Sequence, residues 1–326
     1  MKRLTPPGRA RWIDIRRDLP GVLALLETSF GAHLDADGQR VFKLLRQVAS
    51  DRQAQRWYQR YEVPGAPLYG YVWEDQGRIV GNVSLVRLAG RGPRRYLIVN
   101  VAVDPAYRRL GIARRLMEHA LSHALRQHAQ EVWLQVEENN PAAINLYRQL
   151  GFVDTHIVTL WRTDAPLPPE TPTVVPSPEV RVRSRLVSRR EWLLQKQWLR
   201  ATYPPALAWH LQMPPEKALA PTLRGWLWRL FHPLTYRQWV AYRQGRLRAT
   251  LTLCRRSFAA SDEVLVAAPP DLPPEEMAAL ARPLQTSQTR RPLRAELPKG
   301  FLQHAMPAAG FSATRHLLWM RWRPRP

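Results

Sequence analysis

The sequence holds one cysteine, Cys254, in 326 residues, which excludes an intramolecular disulfide and a thiolate zinc cluster. With no motif around it, Cys254 reads as a small buried apolar residue. No apolar run approaches the roughly 20 residues that cross a bilayer. The basic start Met1-Lys2-Arg3-Leu4-Thr5-Pro6-Pro7 has no apolar stretch behind it, so a cytoplasmic protein is expected. Negative charge is scarce as well: 26 Asp and Glu face 49 Lys and Arg, a net charge of +23. Hydrophobic residues at 45% and charged residues at 23% are ordinary globular values, which disfavours wholesale disorder. The length suits two compact domains of about 100 to 200 residues each.

The charge is unevenly spread. From Glu179 to the C-terminus there are 25 basic and 9 acidic residues, +16, which leaves +7 for the first 178. A basic surface attracts anions by long-range forces, whether nucleic acid, acidic protein or a phosphate-rich cofactor, without choosing among them; an arginine-rich composition bias accounts for it equally well. The proline-rich run Ala165 to Pro178 cannot donate ladder hydrogen bonds and favours an extended chain. It reads as a linker over 165–178 between a domain at 1–164 and another at 179–326.

The two halves resemble each other. Val72, Gln76, Gly77, Arg78 and Leu85 recur as Val240, Gln244, Gly245, Arg246 and Leu253, displaced by 168 positions, and both sets belong to hairpins. Leu134, Glu137, Gly151, Phe152 and Arg162 recur as Leu293, Glu296, Gly310, Phe311 and Arg321, displaced by 159. The order of the matches points to a tandem duplication. Strand and helix signals alternate in the first half, as in an α/β (α+β) mixed sheet flanked by helices. Leu97 to Val103 reads as a buried strand. Ile112, Leu116, Met117, Ala120, Leu121 and Ala124 follow at helical spacing. Glu131 to Val136 reads as a second central strand, Pro141 to Leu150 as a helix, and Val153 to Trp161 as the strand that closes the domain.

Between the first of these strands and its helix lies Tyr107-Arg108-Arg109-Leu110-Gly111-Ile112-Ala113-Arg114. Glycine at 111 and alanine at 113 let the backbone approach a ligand closely. The first N–H groups of the helix point outward along the positive end of its dipole, so a pyrophosphate fits there, and Arg108, Arg109 and Arg114 add charge.

With Arg108, Gly111 and Ala113 in the pattern Gln/Arg-x-x-Gly-x-Gly/Ala, and Asn140, Ala143, Leu146, Tyr147, Gly151 and Phe152 in Asn-x-x-Ala-x-x-Leu-Tyr-x-x-x-Gly-Phe, residues 9 to 162 resemble the GNAT superfamily of acyl-CoA-dependent N-acyltransferases. The likeness extends more weakly over 179 to 323. It implies two GNAT-like domains in tandem and acetyl-CoA as cosubstrate, with no metal. The implied roles follow. Val101, Ala102 and Val103 line the gap between the fourth and fifth strands, where the pantetheine arm lies. The turn Arg108, Arg109, Leu110, Gly111, Ile112, Ala113 and Arg114 takes the pyrophosphate. The Val101 N–H donates to the thioester carbonyl, Tyr147 protonates the departing thiolate, and Asn140 and Ala143 help hold the cofactor arm. Against these roles stand a packing reading of Tyr147 and a solvated-surface reading of the arginines, which the motif context disfavours, and a helix-cap reading of Asn140 that is compatible with its role at the cofactor.

The general base is the weak point of the pattern. Asn100 and Gln135 stand where many relatives carry a glutamate, which leaves Glu137 or Glu138, or bulk water. His119 and His123 are spaced i, i+4 but lack a third ligand or a Glu-x-x-His context, and read as surface residues. The second half lacks the machinery: Pro269-Pro270-Asp271-Leu272-Pro273-Pro274-Glu275-Glu276 replaces the phosphate turn, Met306 replaces Tyr147 and Lys299 replaces Asn140. It holds eight of the thirteen tryptophans, among them Trp226, Trp228, Trp239, Trp319 and Trp322. The expectation is an N-acetyltransferase with an active first domain and a degenerate second one, acting on a small-molecule amine or a protein amino group, with an anionic acceptor slightly favoured. The rival is a non-catalytic CoA-binding or nucleic-acid-binding module.

Overall fold

The computed structural model describes residues 6–31, 36–60, 67–88, 93–163, 174–204, 208–211, 214–231, 234–256, 260–286 and 291–324. Most of the proline-rich linker, 165–173, lies outside them. The chain forms two compact units that do not follow chain order: the first is Met1–His156 with Leu317–Pro326, the second Ile157–His316.

In the first unit β1 (Arg9–Trp12) leads into α1 (Ile15–Phe30), α2 (Ala36–Ser50) and α3 (Arg52–Arg60). Then come β2 (Gly70–Asp75), β3 (Arg78–Arg87), β4 (Arg95–Val103), α4 (Ile112–Arg126), β5 (Glu131–Glu137), α5 (Pro141–Gln149) and the start of β6 (Val153–Thr163). Asp14 caps α1 by accepting from the Arg16 N–H. The helix buries Ile15, Leu19, Val22, Leu23 and Leu26 on one face, in a core shared with Phe42, Leu45 and Val72. On α4 the apolar stripe Ile112, Leu116, Met117, Ala120, Leu121 and Ala124 is buried as its spacing predicts. Gly81 on β3 admits this helix: a Cβ there meets Ile112 and Leu116 at 3.0 Å.

The second unit contains the rest of β6, then β7 (Val180–Ser184), α6 (Trp192–Thr202), α7 (Pro215–Ala218), α8 (Leu223–Phe231), β8 (Leu234–Arg243) and β9 (Arg246–Arg256). β10 (Asp262–Ala267), α9 (Pro274–Thr286), β11 (Leu293–Pro298) and β12 (Ser312–Trp322) complete the chain, the last returning to the first unit at Leu317. Each unit carries a mixed sheet with one parallel pair at its centre, β4 with β5 and β10 with β11. Helices α1 and α4 pack against the first sheet, α6 and α9 against the second. Cys254 is wholly buried in the second core, and burial pushes its thiol well above the usual range.

The duplication is legible in backbone detail. The β2–β3 ladder shifts register between Trp73 and Glu74, and the β8–β9 ladder between Ala241 and Tyr242, the same 168-position displacement. Gln76-Gly77 and Gln244-Gly245 turn these hairpins with both residues at positive φ, the type I′ geometry that suits strand twist. Phe152 donates its N–H to the Tyr147 carbonyl, and Phe311 does the same to Met306, displaced by 159.

One expectation is corrected. Val153 to Trp161 does not pair with β5: β6 lies beside β12, and its second half pairs antiparallel with β11 in the second unit, from Val158↔Pro298 to Thr163↔Leu293. The edge of β5 is taken by β12, from Leu317↔Glu137 to Trp322↔Val132. The C-terminal segment supplies partners to β5 that stabilise this pairing. The Trp319 ring packs edge-on against Trp133 at 6.3 Å, and Arg323 donates to the Glu131 carboxylate at 2.7 Å. Among the described residues no helix is long and apolar enough to cross a membrane.

Candidate functional site

The site grows from an irregularity in β4. Opposite β3 the register runs Ser84↔Val99 and then Asn82↔Ala102, so two residues of β4, Asn100 and Val101, face one of β3. This is a β-bulge, with Asn100 at φ +56. On its other side β4 pairs with β5 only from Arg95↔Glu131 to Ile98↔Leu134. Beyond Ile98 the two parallel strands part, leaving Val99 to Val103 without a β5 partner. Val101 and Val103 are half-buried and Ala102 is buried.

A residue the sequence reading missed holds this bulge. Asn82, 1% exposed on β3, donates from Nδ2 to the Asn100 carbonyl at 2.8 Å and to Ser84 Oγ at 3.2 Å. Its only sequence signal is a pair of polar residues at alternate positions inside an apolar strand, Asn82 and Ser84.

At the end of β4 the chain makes a 3-10 turn, Pro105–Tyr107, capped by Asp104 accepting from the Ala106 N–H. The Tyr107 hydroxyl donates to Asp75 at 2.8 Å and pins this turn to the β2–β3 hairpin. Arg109 at φ +64 and Gly111 at φ +83 then aim the backbone into α4. No side chain caps that helix, so its first N–H groups lack side-chain acceptors, and a Cβ placed on Gly111 meets nothing within 4 Å. These amides border open space at the positive end of a helix dipole. Arg108 and Arg109 are exposed beside them, while Leu110, Ala113 and Arg114 are half-buried. The Arg114 guanidinium donates to Gln149 Oε1, tying the start of α4 to the end of α5.

Tyr147, on α5, is 6% exposed with its ring 6.0 Å from Phe152. Its hydroxyl makes no hydrogen bond among the described residues, and burial raises its pKa to about 12. Asn140 caps α5, accepting the Ala143 N–H at 3.1 Å, so the capping reading of Asn140 holds and its amide NH₂ is left over for a second role. Glu137 ends β5, half-buried, past the last β4–β5 pair and opposite Leu317. The structure thus gathers the glycine turn, the bulge and the parted strands at one end of β4. His119 is exposed, as expected, and stacks on Tyr71 at 5.2 Å, while His123 is half-buried and stacks on Trp12 at 4.6 Å.

The same place in the second unit is closed. The β10–β11 pairing also ends early, at Glu263↔Arg294, but β10 has no bulge: Thr252↔Leu265, Leu251↔Val266 and Thr250↔Ala267 follow in register. Val266 therefore stands where Asn100 and Val101 stand in β4. Its N–H donates to the hydroxyl of Tyr203, at the end of α6, at 2.9 Å. Tyr203 is 7% exposed, and burial drives its phenol far up. Met306, the counterpart of Tyr147, is wholly buried. Glu276, in the first turn of α9, is also wholly buried and binds Arg243 and Arg248 at 3.2 and 2.9 Å. Trp239 and Trp319 are core residues at 4% and 2% exposure, whereas Trp226 is 52% exposed.

Parted parallel strands beside the uncapped amides of α4 mark the candidate site of a mixed α/β protein. Residues 38–152 match the model of the Acetyltransferase (GNAT) family, and this part of the chain is similar to known acetyltransferases. It is 42% identical over 60 residues to the [Ribosomal protein bS18]-alanine N-acetyltransferase of Escherichia coli K12, covering 18% of this chain and 40% of that protein. It is 40% identical over 76 residues to an N-alpha-acetyltransferase of Mycobacterium tuberculosis, covering 23% and 46%. The chain thus spans less than half the length of these curated relatives. In fold it resembles a tandem GNAT protein from the clavulanic acid biosynthesis pathway, with TM-score 0.52 at 15% identity over 98% of this chain and 99% of that one. Both halves share the GNAT fold.

Proposed function

We propose that the protein transfers an acetyl group from acetyl-CoA to a primary amine by direct attack in a ternary complex, using the first unit. The observation that carries this reading is the early end of the β4–β5 ladder at Ile98↔Leu134, next to uncapped helix amides with open space over Gly111. A backbone left unpaired along a strand is costly unless something pairs with it, and a pantetheine arm can. The residues present fit the cosubstrate: Val101, Ala102 and Val103 for the arm, the turn from Arg108 to Arg114 for the pyrophosphate, and Asn140 and Ala143 at the start of α5. Acetyl-CoA supplies the activated acyl carbon.

The Val101 N–H, held in the bulge by Asn82, donates to the carbonyl oxygen as negative charge develops there. The amine must lose a proton to attack, and Glu137 accepts it, directly or through water. As the new C–N bond forms the C–S bond breaks, and the departing sulfur takes its proton from Tyr147 Oη. A phenol with a pKa of about 12 carries that proton throughout the working pH range. No enzyme nucleophile is required, and Cys254 in the core of the second unit takes no part.

For the acceptor we favour the α-amino group of a polypeptide, as the names of the two relatives suggest, over a small amine. Thiol release from acetyl-CoA, measured against peptides with free and blocked N-termini, tests this. Turnover with the free peptide alone supports the reading, and none with any amine defeats it. Tyr147→Phe is the control.

A further inference from the structure

The duplication allows one surface to be compared with itself. In the first unit a groove of about 600 Å³ lies between α1 and the β2–β3 turn, and its charges are matched. Arg11 binds Asp18 and Glu74, Arg17 binds the same two carboxylates, and Arg78 stands 3.6 Å from Asp104. Three cations thus face three carboxylates.

A groove of about 540 Å³ in the second unit lies against β7 and the β8–β9 turn. Arg11 pairs in register with Val72, and Arg183 with Val240, so Arg183 is the counterpart of Arg11. Glu74 has become Tyr242, and Ala268-Pro269-Pro270 offers no carboxylate in place of Asp104. Arg185 is occupied by Glu191 and Tyr242, and Arg243 by Glu179 and Glu276. Arg181, Arg183 and Arg246, the last the counterpart of Arg78, meet no carboxylate among the described residues, and all three are exposed. The ion-pair cluster of one unit has opened into a cationic groove in the other.

Arg181 and Arg183 are alternate residues of β7, so they face one way about 6.7 Å apart. A repeat of that length suits charges carried in a row, and the guanidinium fork matches phosphate oxygens two at a time. We propose that this groove binds consecutive phosphate groups, with Arg181 and Arg183 as the side chains that face them, in addition to any transferase activity of the first unit. The chemistry is common to a nucleic-acid strand and a soluble polyphosphate.

The test uses the full chain, with a short fluorescein-labelled single-stranded RNA followed by anisotropy and inorganic tripolyphosphate as competitor. Arg181→Gln with Arg183→Gln is expected to weaken RNA binding roughly tenfold or more and to flatten the log–log salt slope by about 1.4, the share of two phosphates on a single strand. The charge-matched pair Arg52→Gln with Arg56→Gln, on α3 of the first unit, should leave both unchanged, and acetyl-CoA turnover should be the same in all three proteins. Displacement by tripolyphosphate would make a soluble polyphosphate the ligand, and its failure to displace would make it a strand; either supports the site. Absence of binding at low salt, equal loss in the two double variants, or displacement by polyglutamate as effective as by RNA would overturn it.

Discussion

Replacing Gly111 with alanine separates the backbone role of this turn from its ligand role. Gly111 sits at φ +83, where an L residue is strained, but an added Cβ touches no protein atom within 4 Å. The folded protein therefore loses only the left-handed conformational term, about 1–2 kcal/mol, equivalent to a fall in Tm of roughly 2–8 °C. The methyl group, however, stands in the space a diphosphate must enter to reach the amides at the start of α4. Loss of two charge-assisted hydrogen bonds at about 1.5 kcal/mol each weakens acetyl-CoA binding roughly 100-fold. Calorimetric titration with CoA measures this directly. Turnover of the acetyl thioester of N-acetylcysteamine, which has no phosphate, provides the contrast and should change little. If CoA affinity is unaltered while Tm falls, or if both thioesters lose activity equally, the diphosphate does not rest on this turn and the reasoning fails.

Tyr147→Phe should lower kcat about 100-fold or more with KM for acetyl-CoA unchanged, and should leave Tm nearly unaltered because the hydroxyl has no hydrogen-bond partner among the described residues; the wild-type rate should show no alkaline limb from this group below about pH 11, given its pKa of about 12. Asn82→Leu removes the clamp on the Asn100 carbonyl, and a loss of roughly 1–3 kcal/mol in denaturant unfolding should accompany a fall in kcat of at least about tenfold from a displaced Val101 amide; unchanged kcat would remove Asn82 from the site. Burial alone would raise the Glu131 pKa, but hydrogen bonds from Arg95, Arg323 and Trp133 outweigh it and bring the value to about 2. A folded pKa below the unfolded value of about 4.3 stabilises the protein above that pH. With Arg323 59% exposed and screened, we take on the order of 2 kcal/mol, lost as pH falls from about 4.3 to 2, and Tm against pH for Glu131→Gln should lack that decline. A chain ended at residue 164 leaves the β5 edge without Leu317 to Trp322 and should not fold cooperatively by circular dichroism, whereas residues 6–156 joined by a flexible linker to 315–326 should.

Local patterns in the sequence were strong where one short stretch carried the signal. The stripe from Ile112 to Ala124, the cap at Asn140, the turn at Gly111 and the paired hairpins at Gln76-Gly77 and Gln244-Gly245 each occupy their expected places. What escaped depends on pairing across the chain. Nothing in Val153 to Thr163 tells which edge it will join, because β6 and β12 present similar buried runs, Val158 to Trp161 and Leu317 to Met320. The Asn82 clamp was hidden because a buried amide in a strand is interpretable only once its acceptor, the carbonyl of a bulge 18 residues away, is known. The bond from Arg114 to Gln149 likewise joins residues 35 apart, and no local pattern announces it.

The two units also show what an open site costs a protein. In the second, the amide at the bulge position is satisfied by Tyr203 and the space is filled by a buried ring, an arrangement that contributes packing and a hydrogen bond to the unit itself. In the first, the parted ends of β4 and β5 and the amides of α4 are left for a partner from solution. A ligand that binds only the folded state stabilises it by mass action, so the first unit should gain stability from its ligand and the second should be stable without one. The last strand of the first sheet comes from the far end of the chain, beyond the second unit. Substitutions that closed the second cleft could therefore accumulate without disturbing the first sheet, whereas deletion of the second half would take β12 with it. The second unit is held in place by topology whatever chemistry it performs, because the chain must pass through it to complete the first sheet.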